Sequence, residues 1–264
     1  MGRKIAIIGG GNLGTAIAEG LLKSKFSKAA ELTVTKRNTA TLRPLADKGV
    51  KITADNQAAV KDADVIMLAV KPYQVSEVLG AVKKELSGKK ILISVVTGVT
   101  IADMETVVGK KVPLFRAMPN TAIAIQESMT CISSKDAEAA DVKYVNELFG
   151  KLGKVVTIDE KLMEASTILG ACGTAYAMRY IRANIQGGIE IGFDAPTASL
   201  IAAQTVKGAA ELLLQKGSHP EQEIDKVTTP KGCTIAGLNE MEHQGFSSSL
   251  IRGIVASYKK IAKD

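Results

Sequence analysis

The chain has 264 residues, of which 46% are apolar and 4% aromatic, and it contains no tryptophan. This composition allows one large or two ordinary domains with a substantial core, and it excludes a disordered chain. The formal charge is +7, but the basic residues form no Lys/Arg block and do not alternate with aromatic residues. This distribution suits binding of anionic small molecules better than binding of nucleic acid. A solvated basic surface is the simpler interpretation of the same charge.

The cysteines Cys131, Cys172 and Cys233 lie far apart and show no CxxC spacing. An odd number of cysteines and no pattern of a signal peptide indicate a reducing compartment. Charge-free runs such as 165–178 are shorter than the roughly 20 residues of a membrane-spanning helix. We therefore expect a soluble, cytoplasmic protein without a membrane partner, a nucleic-acid partner or a metal site.

The first part of the chain alternates short apolar strands with helical patterns. KIAIIGGGNLGTAIAEGLL predicts a buried strand, a glycine turn and a helix. Further strands are predicted at 31–35, at about 65–70, in KKILISVVTGVT and in VPLFRAMPN, with helical patterns at 39–48 and 73–86. Strands that alternate with helices and are almost entirely apolar predict an α/β fold with a doubly wound parallel sheet.

The pattern changes near residue 160. SMTCISS predicts an edge strand, ADVKYVNELFGKLG a helix and KVVTID a last short strand. Only helical patterns follow, namely EKLMEASTILGACGTAYAMRYIRANIQGG, APTASLIAAQTVKGAAELLLQ and SSSLIRGIVASYKKIAKD. We predict an all-helical C-terminal domain at 160–264. Because these helices are apolar on all sides, we expect them to form a homodimer or a larger homo-oligomer.

A glycine-rich turn follows the first strand and opens the first helix. Gly9, Gly11 and Gly14 form a GxGxxG motif, in which the glycines permit a tight turn, close approach to a pyrophosphate and helix–strand packing. The helix N-terminus adds N–H groups and a partial positive charge. A purely structural turn is the alternative. The context favours a Rossmann-type, NAD(P)-binding domain at 1–159.

The end of the second predicted strand indicates which dinucleotide binds. An NAD site usually has a carboxylate there, but this chain has Lys36 and Arg37. Arginine binds a 2′-phosphate through paired hydrogen bonds, so NADPH is expected, with NADH possible. An ordinary basic loop is the alternative.

Three other segments follow the carboxyl ends of predicted strands, as the glycine turn does: AVKP, SVVTGVT and RAMPNT. Open α/β sheets bind ligands at these strand ends. Lys71 is expected to contact the cofactor, although it could be a solvated lysine. Asn120 is expected to bind a carboxamide or the substrate.

GGGNLG, Asn56 in NQ, AVKP, RAMPNT and HPEQEIDKVTTPKGCTIAGLNEMEHQGF together resemble the pyrroline-5-carboxylate reductase family of proline biosynthesis, from residue 5 to about 258. The resemblance implies a Rossmann domain with NAD(P)H and a helical domain for dimerisation and substrate binding. It implies hydride transfer from NADPH to the C=N bond of 1-pyrroline-5-carboxylate, which gives L-proline. The cofactor contacts that the residues and the resemblance imply are Ile8, Gly9, Gly10, Gly11, Asn12, Leu13, Gly14, Lys36, Arg37, Asn56, Ala69, Val70, Lys71, Pro72, Val95, Val96 and Thr97.

The resemblance places the substrate loop at 229–234. Backbone N–H groups of Gly232 and Cys233 at a helix N-terminus suit the substrate carboxylate, and Thr229 adds a hydroxyl. Thr234 is the expected catalytic residue, because its hydroxyl would bind the ring nitrogen. An ordinary capped turn is the alternative. His219 and His243 are expected to be structural.

The chain departs from the family pattern at three places. GACGTAY stands where the family commonly has SGSGPAY, Lys231 and Cys233 lie where it often has SPGGTT, and Ala122 replaces the usual proline after RAMPNT. These departures concern substrate selectivity and helix contacts rather than the phosphate turn.

Three alternatives remain open. A β-hydroxyacid dehydrogenase would need a lysine on the long helix, where this chain has Arg179, and arginine cannot accept a proton. A protein that binds NADP(H) without catalysis is the second. The third is an enzyme that prefers a six-membered cyclic imine such as piperideine-2-carboxylate.

Overall fold

A computed structural model describes residues 2–262. The chain divides into two compact units between Cys172 and Gly173. The first unit is an α/β domain and the second contains only helices.

One sheet forms the centre of the first unit. Its strands are β1 (Ile5–Ile8), β2 (Leu32–Thr35), β3 (Lys51–Thr53), β4 (Val65–Leu68), β5 (Ile91–Ser94), β6 (Leu114–Met118), β7 (Ser128–Lys135) and β8 (Gly153–Thr157). They lie in the order β3-β2-β1-β4-β5-β6-β7-β8, and every neighbouring pair is parallel except β6 with β7. The predicted Rossmann-type fold class is confirmed.

Helices cover both faces of this sheet. They are α1 (Asn12–Lys23), α2 (Arg43–Ala46), α3 (Asn56–Lys61), α4 (Val75–Val82), α5 (Ile101–Val108), α6 (Ala139–Gly150) and α7 (Met163–Ser166). Ile5 and Ile7 of β1 pack with α1 and α6, whereas Ala6 and Ile8 belong to the core beneath α3, α4 and α5. Successive strand residues thus enter opposite cores, which explains the unbroken apolar strands.

Two details of the sheet differ from the sequence-based expectation. The prediction of an edge strand in SMTCISS is wrong, because β7 lies between β6 and β8 and β8 forms the edge. Strand β3 was not predicted, since its three residues are exposed or half-buried and carry no apolar run.

The segment from residue 160 to 172 is not the start of one continuous helix, as the sequence suggested. Glu160–Leu162 is a 3-10 turn, α7 follows, and Thr167–Cys172 has π-helical hydrogen bonding. Met163, Thr167 and Ile168 are buried, and the segment packs on β6 and β7. These tertiary contacts override the helical pattern of the sequence.

The second unit consists of α8 (Gly173–Glu190), α9 (Ala195–Lys216), α10 (Pro220–Lys226), α11 (Cys233–His243) and α12 (Phe246–Ala262). Asp194 caps α9 by accepting a hydrogen bond from the Thr197 N–H, and Gly217 ends that helix in the left-handed conformation. Of the residues described in this unit, only Ala198 and Ala202 are buried apolar residues. None of the helices within residues 2–262 combines the length and apolar character that a membrane crossing requires.

Candidate functional site

The three glycines of the turn after β1 have different surroundings. Gly9 has a φ of 112°, and a Cβ there would overlap the Ala69 carbonyl. A Cβ on Gly14 would overlap the Gly9 carbonyl, so this glycine lets α1 pack close to the turn. At Gly11, in contrast, nothing lies within 4 Å of the Cβ position. The turn therefore presents open space at the start of α1, where a phosphate can approach the backbone.

Hydrogen bonds fix this turn to the neighbouring strand. The N–H groups of Gly9 and Gly10 donate to the Thr35 carbonyl at 3.2 and 2.7 Å. Gly10 is buried, and a Cβ there would press against the methyl groups of Leu42. Helix α1 begins after Gly11 without a side-chain cap. Its N-terminal N–H groups and partial positive charge suit an anionic ligand.

The predicted cofactor residues lie at the carboxyl ends of the parallel strands. The register places Ile8 beside both Thr35 and Leu68. Just beyond these strand ends, the Ala69 N–H donates to the Ile8 carbonyl at 2.8 Å, and the Val95 N–H donates to the Leu68 carbonyl at 3.0 Å. The turns after β1, β4 and β5 are therefore adjacent, as a binding edge requires.

The turn after β2 carries the predicted basic residues. Lys36 is half-buried and its N–H donates to the Thr53 carbonyl at 3.1 Å, whereas Arg37 is exposed. Asn38 caps the next 3-10 turn by accepting from the Ala40 N–H at 3.1 Å. The sequence contains no carboxylate between residues 32 and 46. Asn56 is half-buried and is the first residue of α3, which follows β3, the strand next to β2.

Hydrogen bonds and buried side chains fix parts of the loops after β4 and β5. The N–H of exposed Lys71 donates to Gln74 Oε1 at 3.1 Å and so closes the 3-10 turn Pro72–Gln74. Val95 and Val96 are buried, while Thr97 is exposed and reaches Met118 Sδ at 3.9 Å. Gly98 follows with a φ of 73°.

Asn120 has a structural role in addition to its predicted one. Its Oδ1 accepts from the Ala122 N–H at 3.0 Å, and its Nδ2 donates to the Gly170 carbonyl at 3.0 Å. The side chain thus connects the turn after β6 with the π-helical segment. Its contact with substrate stays a prediction.

Residues 229–234 form a turn in the second unit and open α11. The Gly232 N–H donates to the Thr229 carbonyl at 3.0 Å and closes a four-residue turn. Pro230 is the second residue of this turn and Lys231, with a φ of 61°, is the third. This is the geometry of a type II turn, which usually has glycine at the third position. A Cβ on Gly232 would lie 2.5 Å from Thr229 Oγ1 and 3.0 Å from the Thr229 carbonyl oxygen, so a side chain at this position would require Thr229 to move.

The side chains of this turn differ in exposure. Thr229 and Cys233 are exposed, and Thr234 is half-buried in the first turn of α11. Helix α11 has eleven residues and no side-chain cap at Gly232. The N–H groups at its start therefore suit a carboxylate, as the sequence suggested.

A cluster around Glu223 holds the helix that leads into this turn. Ser218 Oγ and Lys226 Nζ both donate to Glu223 Oε1 at 2.6 Å, and Lys216 lies 3.7 Å from Oε2. The hydrogen bond from Lys226, together with the one from Ser218, lowers the pKa of Glu223 to about 2. These contacts connect the end of α9 with α10.

The sequence reasoning missed one charged cluster near the sheet edge. Arg116 lies inside the apolar strand β6, its side chain is only 2% exposed, and it pairs with Glu160 and Glu164. A charged residue within VPLFRAMPN was the available signal, because a buried arginine requires partners.

Comparisons with known proteins agree with the two-part organisation. Residues 160–264 match a family model described as pyrroline-5-carboxylate reductase dimerisation, and residues 4–98 match one described as NADP oxidoreductase, coenzyme F420-dependent. The chain is 43% identical to pyrroline-5-carboxylate reductase 2 of Dictyostelium discoideum, over 99% of this chain and 93% of that relative. This chain belongs to the pyrroline-5-carboxylate reductase family. As a member of this family it is an oxidoreductase.

Two further relatives bear on length and fold. Pyrroline-5-carboxylate reductase 1 of Dictyostelium discoideum is 46% identical, and the match covers 98% of this chain but only 49% of that relative. The chain thus spans about half the length of this relative. A crystal structure of the Plasmodium falciparum pyrroline carboxylate reductase with NADP bound is 29% identical and superposes with a TM-score of 0.87, over 98% of this chain and 96% of that one.

The predicted family is therefore confirmed. The domain boundary at 159/160 stays a prediction: the dimerisation match begins at residue 160, whereas the compact units divide between 172 and 173.

Proposed function

We propose that this reductase transfers a hydride from NADPH to the C=N bond of 1-pyrroline-5-carboxylate and so forms L-proline, the final step of proline biosynthesis. The observation that carries the proposal is family membership over nearly the whole chain, which includes both the phosphate turn and residues 229–234.

The residues at the carboxyl ends of the strands fit a dinucleotide that carries a 2′-phosphate. The open face at Gly11 and the uncapped start of α1 would hold the pyrophosphate. Lys36 and Arg37 would hold the 2′-phosphate, which favours NADPH over NADH. Asn56 would lie on the adenosine side, with the turns at 69–72 and 95–97 beside the rest of the molecule. When bound, the nicotinamide supplies the hydride.

The turn at 229–234 would hold the imine. The N–H groups of Gly232 and Cys233 would bind the carboxylate, and the Thr229 hydroxyl would add a donor. Thr234 Oγ1 would accept a hydrogen bond from the protonated ring nitrogen, whose positive charge makes the C=N carbon a good hydride acceptor. The chain thus mainly aligns the substrate, and no strong general base is needed.

The histidines play no part in this proposal. His219 caps α10, because its Nδ1 accepts from the Glu221 N–H at 3.3 Å. His243 lies exposed in the last turn of α11. Both positions suit structural roles.

Assembly and location are parts of the same proposal. The exposed apolar side chains of α8, α9 and α12 favour a homodimer or a larger homo-oligomer that forms through these helices. The unpaired cysteines favour a cytoplasmic location.

The first test is NADPH consumption with 1-pyrroline-5-carboxylate and, in parallel, a six-membered cyclic imino acid. We expect faster turnover of the five-membered ring. Thr234→Ala should lower kcat/KM for the imine by about ten- to a hundredfold, since a hydrogen bond to a charged group is lost. NADPH affinity should stay unchanged.

Thr228→Ala is the matched control. The Thr228 hydroxyl donates to the Ile224 carbonyl at 2.8 Å and has no predicted contact with substrate, so activity should be retained. Full activity of Thr234→Ala would remove Thr234 from catalysis. Tight NADPH binding without turnover of any cyclic imine would instead favour a non-catalytic NADP(H)-binding protein.

A further inference from the structure

The buried arginine of β6 connects the sheet with the segment that follows β8. Arg116 Nη1 donates to Glu160 Oε1 and Nη2 to Glu164 Oε1, both at 3.1 Å. Glu160 belongs to the 3-10 turn Glu160–Leu162 and Glu164 to α7. Because a buried guanidinium is costly without partners, these two carboxylates allow the charge inside the strand.

The two carboxylates are not equivalent. Glu160 Oε1 also accepts a hydrogen bond of 2.7 Å from the N–H of Ile101, which is the first residue of α5. A carboxylate at this position satisfies a terminal N–H group and matches the helix dipole. Among the described contacts of Glu164, the hydrogen bond is to Arg116. Only Glu160 therefore connects the arginine to the start of α5.

The start of α5 is also the end of the loop that carries Val95, Val96 and Thr97. Val95 is held at the sheet by the Leu68 carbonyl. At the far end, Thr100 and Asp103 form a capping box, and Glu160 holds the next residue. Gly98 lies between these anchors at a positive φ. Loss of the Glu160 anchor would thus leave one end of the loop less constrained.

The position of this loop in the sheet identifies the part of the cofactor beside it. The phosphate turn follows β1, and the basic turn follows β2 on one side of it. Strands β4 and β5 lie on the other side of β1. A dinucleotide with its adenosine end at Lys36 and Arg37 therefore extends its nicotinamide end toward the loop after β5.

We propose that Glu160 is a positioning residue that, paired with Arg116, fixes the start of α5 and so holds residues 95–97 beside the nicotinamide half of NADPH. This inference rests on the proposed cofactor contacts of that loop. Glu160 itself need touch neither cofactor nor substrate.

The test compares Glu160→Ala with Glu164→Ala. Each variant removes one carboxylate from Arg116, so both should lower the thermal stability. Only Glu160→Ala frees the Ile101 N–H. We expect its dissociation constant for NADPH, measured by the fluorescence of the bound cofactor, to rise about five- to tenfold, against less than about twofold for Glu164→Ala.

Kinetics and a conservative variant separate positioning from simple destabilisation. Glu160→Ala should lower kcat while the KM for the imine changes less than about twofold, because the variant leaves every residue of the proposed imine turn at 229–234 unchanged. Glu160→Gln keeps an oxygen acceptor for Ile101 and should restore NADPH binding to within about twofold of wild type. Equal NADPH affinities of the two alanine variants would overturn the inference.

If Glu160→Ala does not fold, Ile101→Pro removes the same hydrogen bond from the donor side. Proline is tolerated in the first turn of a helix, and Thr100 already has the extended backbone that a following proline requires. This variant should weaken NADPH binding to a similar extent, and wild-type affinity would contradict the proposal. Because binding is measured without imine, a failure of the proposed imine reduction would be seen separately.

Discussion

At the scale of single residues, the proposed preference for NADPH depends on the turn after β2. Arg37 is exposed beside half-buried Lys36, and the neighbouring stretch 32–46 contains no carboxylate. A 2′-phosphate bound at this turn would thus meet two cations and no carboxylate from this stretch. NADH, which lacks this phosphate, gains nothing from them.

Arg37→Glu should reverse this preference. A glutamate would repel the 2′-phosphate and could instead accept a hydrogen bond from a ribose hydroxyl. We expect the ratio of kcat/KM for NADPH over NADH to fall at least about tenfold. Steady-state kinetics with both cofactors measure the ratio. Lys84→Glu makes the same charge change at an exposed residue after α4, and its ratio should not change; an unchanged ratio in Arg37→Glu would refute the assignment.

The sequence could reveal residues whose role depends on the local chain, but not pairs formed across the fold. Gly9, Gly11 and Gly14 follow a fixed spacing between a strand and a helix, so their positions were predictable. Arg116 and Glu160 are separated by 44 residues, and their pairing depends on how the segment after β8 packs on β6. The apolar strand around Arg116 indicated that partners exist, but not which residues they are.

At the scale of elements, short or irregular pieces were the least predictable. Helix α5 and strand β3 were missed because each is short and carries several polar residues. The segment at 160–172 shows a helical pattern, but its packing on β6 and β7, with Met163 and Ile168 buried, gives it 3-10, α and π turns in succession. Long helices such as α9 and α12 follow the sequence pattern closely.

The Glu223 carboxylate makes part of the stability of α10 sensitive to acid. The pKa of Glu223 is lowered from an ordinary value of 4.5 to about 2. A carboxylate whose pKa is lowered by folding stabilises the folded state fully at pH values above its pKa in the unfolded chain. That contribution is lost progressively as the pH falls from about 4.5 toward 2.

Glu223→Gln should therefore have a lower Tm than wild type at pH 7, because the charged acceptor for Lys226 and Ser218 is lost. The difference in Tm should shrink as the pH falls below about 4.5. Thermal unfolding monitored by circular dichroism at several pH values measures it. Glu221→Gln, on the exposed side of the same helix, should show a smaller difference; a pH-independent gap for Glu223→Gln would contradict the role of its charge.

At the scale of the whole molecule, the two units bury their apolar side chains to very different extents. The first unit has two cores, one on each face of the sheet. In the second, large apolar side chains such as Leu200, Leu214 and Ile251 are 71%, 69% and 61% exposed. A monomer would leave these apolar side chains in contact with water, which is energetically unfavourable.

Burial of these side chains between copies of the chain predicts a stable homo-oligomer whose assembly depends on α9. Leu200→Glu places a charge where we expect an apolar contact, and two-fold symmetry makes each substitution count twice. With about 1.5–3 kcal/mol for each buried leucine, dimer affinity should fall at least about a hundredfold. Size-exclusion chromatography with light scattering over a range of concentrations measures the mass. Val156→Glu changes an exposed apolar residue of β8 and should leave the mass unchanged, whereas a wild-type chain that is monomeric at micromolar concentration would exclude this assembly.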